Sequence, residues 1–370
     1  MKKKPISKLL LTGIIVISVI FPAKAQLDGL GKVISYQTDN AEMLLKEYVR
    51  PYTNALGTDL SNGWYNTAKP HKTLGFDITF TLNTFFVPNA HKTFNHKALD
   101  LKGIDDQSAA SPTAMGDNDP GATLTYTENI NGQDYTLASF DLPKGTGIGF
   151  APAPMLQVGL GLFKGTEVIG RYIPDMQLGN QAEIGLWGVG VKHSIKQWIP
   201  VLNKLPILHL SVMGGYTELN SQTGLNFTPQ DYVDAKLVDP TNIWDYGTYY
   251  NNQEMAMNVS SFTGNLVVSA NLPVVCFYGG VGFNSVKTNL ALNGNYPLPA
   301  FNPDNTQMEI TEASSQTDPV DMEIKHQSGS RTRPRYNAGI RFKFAVITLH
   351  FDYTYSDYSV ATAGLGISFR

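Results

Sequence analysis

From Leu74 onward the chain keeps a two-residue rhythm. Leu74, Phe76, Ile78, Phe80 and Leu82 alternate with Gly75, Asp77, Thr79, Thr81 and Asn83, which gives an extended segment one apolar and one small or polar face. The same alternation sets Leu156, Val158, Leu160 and Leu162 against Gln157, Gly159 and Gly161, and Leu208, Leu210 and Val212 against His209 and Ser211. It returns in Phe262, Leu266 and Val268, in Val275, Phe277, Val281 and Phe283, and in Ile340, Phe342 and Phe344. Near the end, Leu349, Phe351, Tyr353 and Tyr355 oppose Thr348, His350, Asp352 and Thr354. Ala361, Ala363, Leu365, Ile367 and Phe369 then oppose Thr362, Gly364, Gly366 and Ser368. Runs near ten residues are longer than the five or six of an ordinary sandwich strand. They suit a transmembrane antiparallel β-barrel, an all-β fold in which lipid wets one face and the lumen the other.

Ten such segments are readable, at 73–87, 153–162, 166–173, 182–194, 206–218, 257–271, 274–290, 334–344, 346–355 and 359–369. A hairpin around Asn131-Gly132, with arms Thr123–Glu128 and Asp134–Asp141, adds strands if it joins the wall. An even count of 12 to 14 is therefore expected. Long external loops fall near 88–152, 219–256 and 292–333, with tight turns at 163–165, 272–274 and 344–346 on the periplasmic side.

The N-terminal part reads differently. Lys2, Lys3, Lys4 and Lys8 precede an apolar run from Leu9 to Phe21, and Ala23-Lys24-Ala25 supplies a small-residue cleavage site, so residues 1–25 are expected to be a secretory signal. Within residues 26–72, Asp39 or Asn40 can cap a helix carrying Met43, Leu44, Tyr48 and Tyr52 at helical spacing, with a stop at Leu56-Gly57. That segment is expected either in the periplasm or inside the barrel, residues 73–370, as a plug; the small lumen-side glycines leave room for one.

Charge and cysteine narrow the function classes. The chain holds 28 basic and 31 acidic residues; the first 25 contain five lysines and no acid, which leaves 23 bases against 31 acids and a net −8 beyond them. An acidic exported protein is a poor nucleic-acid binder. Cys276 is the single cysteine, so an internal disulfide and a multi-thiolate zinc site are excluded. The glycine strings Gly145, Gly147, Gly149 and Gly159-Leu160-Gly161 lack the Lys-Ser/Thr of a phosphate loop. Asp117, Asp119 and Glu128 lack the spacing of a calcium loop, and His91 with His96 read as solvated histidines. No cofactor and no metal are expected.

Polar side chains in the inward phase, Asp77, His209, Arg341, Lys343, His350 and Asp352, are candidates for lining the lumen. His350 and Asp352, with an inward serine such as Ser211 or Ser269, also raise a wall-mounted hydrolase as an alternative. The loop aromatics Tyr232, Trp244, Tyr246, Tyr249 and Tyr250 are candidates for protein contacts, because clustered aromatics favour interfaces. They motivate a further alternative, a non-transporting subunit of an outer-membrane secretion or assembly complex.

A helical stretch at Ala41–Leu56, a strand entry at Leu74–Asn83 and a closing strand at Val360–Phe369 together resemble the FadL-like family of long-chain fatty-acid and toluene transporters. The Asn- and Tyr-rich loops suit a member from the Bacteroidota, where relatives include a subunit of the type IX secretion apparatus. The resemblance implies a barrel of the bacterial outer membrane whose N-terminal segment plugs the lumen. It also implies gated passage of a small hydrophobic ligand that leaves sideways through the wall.

Overall fold

The computed structural model describes residues 38–369 apart from 106–109, 131, 179–181, 229–234, 238–249, 251, 299, 303, 305–306, 312–314 and 327. Ten long strands form its wall: β1 Phe76–Phe86, β2 Phe150–Gly161, β3 Thr166–Leu178, β4 Ala182–Ser194, β5 Leu208–Gly224, β6 Glu254–Asn271, β7 Val275–Asn293, β8 Thr332–Phe344, β9 Ile347–Tyr355 and β10 Ser359–Phe369. Each pairs antiparallel with its neighbours in sequence, and β10 returns to β1 in a register running from Phe76↔Phe369 to Phe86↔Ser359. Closure leaves no strand of the wall with a wholly unpaired edge. The strand number corrects the expected 12 to 14. The hairpin Thr123–Ile130/Gln133–Asp141 forms, but it joins Ile104–Asp105 in a separate sheet. It has nowhere to enter, because β1 and β2 already pair along their full length.

The apolar phase faces out. Ile78, Phe80, Val158, Val189, Leu266, Phe277, Phe351, Leu365 and Ile367 are all exposed. Tyr172, Trp187, Tyr336 and Tyr355 ring the long-loop end of this belt, and Phe163, Trp198 and Phe344 the tight-turn end. A closed barrel with an apolar belt between aromatic girdles is the strand architecture that can span hydrocarbon. The protein is an outer-membrane β-barrel, with tight turns at one end and long loops at the other.

The inward phase faces a plug. Helix α1, Thr38–Leu60, begins among the long loops, where Asn40 exchanges two hydrogen bonds with the Lys102 backbone and the Tyr48 hydroxyl donates to Lys144 O. It descends into the lumen, and the extended segment 61–72 continues to the tight-turn rim. The helix overruns the stop expected at Leu56-Gly57 by one turn. Gly57 is there for space: a Cβ on it would come within 2.2 Å of Val286 Cγ1 on β7. At the long-loop end, Phe94, Leu124, Phe140 and Leu142 pack with Ala41, Leu44 and Leu45 of α1, so the loops form a cap whose apolar core is continuous with that around the plug.

In that cap, Arg333 Nε and His326 Nε2 approach Asp357 at 2.6 and 3.2 Å, with His91 stacked near Tyr358 at 5.3 Å. Burial, then Arg333, holds His326 below the ordinary histidine range; burial does the same at His91 against the pull of Asp357. Unfolded histidines take up protons as pH drops through about 6.5, before the folded ones do. Cap stability is therefore full above that value and falls as pH falls below it. Amide exchange around residues 89–92 and 320–333 should be faster at pH 5.5 than at pH 7.5.

Candidate functional site: a proline-lined seam beside an apolar cavity

β2 and β3 pair only from Gln157↔Arg171 to Gly161↔Glu167. Beyond Gln157, β2 runs on to Phe150 and β3 to Leu178 with no mutual pairing, although β2 stays paired with β1. The sequence explains the gap. Odd residues of β2 hydrogen-bond towards β1, as Gly161 N does to Gly75 O and Gly149 O does from Val87 N. Even residues point to β3, as Leu162 N does to Thr166 O. Extending the observed register sets Pro154 opposite Pro174, with Pro152 the next β2 position that faces β3. Proline has no N–H to donate, so three of the donors this half-ladder needs do not exist. Pro174 coincides with an irregularity on its other side too, where the β3–β4 register shifts between Ile173 and Met176.

Behind the seam lies an apolar cavity. Tyr52, Leu56 and Leu60 of α1 form one side, Phe85, Ala153 and Met155 a second, and Ile173, Met176, Ile184, Leu186, Leu219 and Met257 the rest. Pro152 and Pro154 belong to the outward phase yet also line it, so the cavity reaches into the thickness of the wall. Its volume is about 690 Å³ with the mouth counted, and the enclosed part is about 40 Å³. An enclosed space of roughly 150 Å³ takes a benzene ring, so a ring-sized solute needs the lining to yield. Three methionines, Met155, Met176 and Met257, supply the flexible side chains for that.

Two buried arginines hold the plug beside this cavity. Arg171 of β3 donates to Leu60 O (2.9 Å), Asn62 O (2.5 Å) and Gln157 Oε1 (3.2 Å), at the last paired rung below the seam. Its guanidinium lies 3.6 Å above the Trp64 ring, and that ring rests on Gly190 and Gly215, where a Cβ would come within 2.8 and 2.6 Å of it. Arg335 of β8 donates to Ser61 O (2.8 Å) and Asn62 Oδ1 (2.6 Å). Cations at the C-terminus of α1 satisfy carbonyls that the helix leaves over and complement its dipole. Sequence reading missed both arginines, because a single charge in an alternating strand has no signature until the plug is placed.

All six lumen candidates occupy the inward phase. Asp77, Arg341, His350 and Asp352 are buried, His209 and Lys343 half-buried. They do not converge. Asp352 accepts from the Tyr278 hydroxyl (2.9 Å), while His350 lies between Gly364 and Arg341 in the strand register. Ser211 and Ser269 are engaged by the plug instead: Ser211 donates to Ala68 O, and Ser269 accepts from Ala68 N (3.0 Å). Tyr232, Trp244, Tyr246 and Tyr249 lie outside the described residues; Tyr250 is buried in the cap, its hydroxyl 2.7 Å from Ser315 Oγ. His96, expected to be solvated, is buried beside Phe94 because the cap folds over it.

Solved structures similar to this chain are themselves bacterial barrels. The translocator domain of the autotransporter NalP from Neisseria meningitidis shares 10% identity at a TM-score of 0.28, over 81% of this chain and 90% of that one. The outer membrane protease OmpT from Escherichia coli shares 9% at 0.24, over 80% and 97%. The toluene transporter TodX from P. putida shares 9% at 0.22, over 80% and 90%. Overlaps this loose carry nothing about activity. No curated protein matches the chain in sequence. The match that spans it, over residues 1–369, places the chain in DUF6588, a family of unknown function.

Proposed function

We propose that the protein is a gated outer-membrane transporter for small apolar solutes, which pass between the lumen cavity and the surrounding lipid through the β2–β3 seam. The observation that carries this reading is the coincidence of Pro152, Pro154 and Pro174 with an apolar cavity directly behind them. A barrel meant only to be a wall gains from a complete ladder, since each buried backbone group left unpaired in hydrocarbon costs several kcal/mol. Prolines at three of the donor positions reduce the number of N–H groups that this open stretch leaves unpaired. The plug occupies the axial route, which disfavours polar solutes and water, whereas an apolar solute can move sideways into lipid.

Uptake into proteoliposomes tests it. A labelled medium-chain alkane or monoaromatic hydrocarbon should equilibrate at least tenfold faster than in protein-free vesicles, while a sugar of similar size stays at background. Equal rates for the hydrocarbon with and without protein would end the proposal.

A further inference from the structure

We propose a divalent transition-metal site where the plug leaves the barrel, formed by His71, Asp77 and Glu167. The three come from separate parts of the chain, the plug segment, β1 and β3, and all are buried. One atom of each, His71 Nδ1, a carboxylate oxygen of Asp77 and one of Glu167, lies within 4.8 Å of the other two. His71 Nδ1 is 2.8 Å from Glu167 Oε2 and 3.6 Å from Asp77 Oδ1.

The second atom of every ligand is already held. Ser368 Oγ of β10 is 3.2 Å from His71 Nε2, Thr79 donates to Asp77 Oδ2 at 2.7 Å, and Lys192 of β4 donates to Glu167 Oε1 at 2.9 Å. Metal ligands are commonly fixed this way, each by a partner on its far atom, which aims the near atom at the ion. Gly159 keeps the space clear: a Cβ there would come within 2.5 Å of Asp77 Oδ1 and 3.3 Å of Glu167 Oε1.

The distances favour a small ion. Ligands about 2.1 Å from a tetrahedral centre stand roughly 3.4 Å apart. The Asp77–His71 separation of 3.6 Å fits that and is too long for a good hydrogen bond. The His71–Glu167 contact of 2.8 Å is a hydrogen bond while Nδ1 carries a proton, and widens by about 0.6 Å when an ion replaces that proton. One imidazole and two carboxylates suit Zn²⁺ or Mn²⁺ better than Ca²⁺, which takes six to eight oxygens. Lys192 offsets one carboxylate, so the ion and the three charged side chains sum to +1 rather than leaving excess negative charge in the wall. The ion staples the plug's exit to β1 and β3, and the fourth coordination position falls to water.

The test uses the purified full-length barrel in detergent, stripped of metal and dialysed against equimolar Zn²⁺ or Mn²⁺. Elemental analysis should find one ion per chain, and His71→Ala and Asp77→Asn should each retain less than a tenth as much. His350→Ala, which removes a different buried histidine, should retain the full ion. Heat-modifiable mobility on gels establishes that each variant is folded. Should a variant fail to fold, the zinc absorption edge of the wild type decides, and must show one imidazole with oxygen neighbours at about 2.0–2.2 Å. Substoichiometric metal in the wild type, or retention unchanged in folded His71→Ala, overturns the site and leaves a metal-free ion-pair cluster.

Discussion

Replacing Arg171 and Arg335 together with alanine should turn a barrel that is electrically silent in a planar bilayer into one that conducts. Each guanidinium donates two hydrogen bonds to residues 60–62, at and just past the end of α1, and each is 2% exposed. A bond to a charged group contributes about 1.5–3 kcal/mol net. Counting a single such bond per arginine, the double variant loses about 3–6 kcal/mol of plug docking, or two to four powers of ten in the ratio of plugged to open lumen. The carbonyls left unpaired at the helix end push the same way, because buried acceptors without donors cost further free energy. The single variants should give brief openings and the double variant sustained ones. A folded double variant that stays silent would show that the plug is held mainly by the seat of Trp64 on Gly190 and Gly215 and by the contacts of Ser211 and Ser269.

The ten strands of the wall were legible in the sequence, although β3 and β5 run on to Leu178 and Gly224, past the ends expected at 173 and 218. The reason for that legibility is physical. A strand between lipid and lumen must alternate without a break, so Leu74–Asn83 and Ala361–Phe369 declare both their conformation and their facing. The strand total was not legible. The Asn131-Gly132 hairpin has the local chemistry of any hairpin, and only the direct pairing of β1 with β2 excludes it from the wall. The glycines signalled a crowded lumen but not its occupant; Gly190 and Gly215 acquire meaning once Trp64 lies on them. The site was the least visible part. Pro152, Pro154 and Pro174 are ordinary interruptions until the register shows that they face one another across one gap. His71 and Glu167 are 96 residues apart and no local spacing joins them.

The same register yields a prediction with opposite signs for stability and for transport. Replacing Pro152, Pro154 and Pro174 with valine restores three N–H donors on the facing edges of β2 and β3, with a side chain that favours strands. Each new bond adds about 0.5–1.5 kcal/mol, against a loss of about 0.4–1 kcal/mol per proline as the unfolded chain regains freedom. The balance is small for one site. It turns favourable for three because the bonds form as a cooperative zipper continuing from Gln157↔Arg171. The triple variant should therefore unfold at higher urea, and the amides of residues 152, 154 and 174 should be protected from exchange. Hydrocarbon entry into proteoliposomes should meanwhile fall at least tenfold, towards the protein-free rate. A barrel engineered to be tighter and more stable would then be the one that no longer transports. Protected amides with undiminished uptake would move the route elsewhere in the barrel.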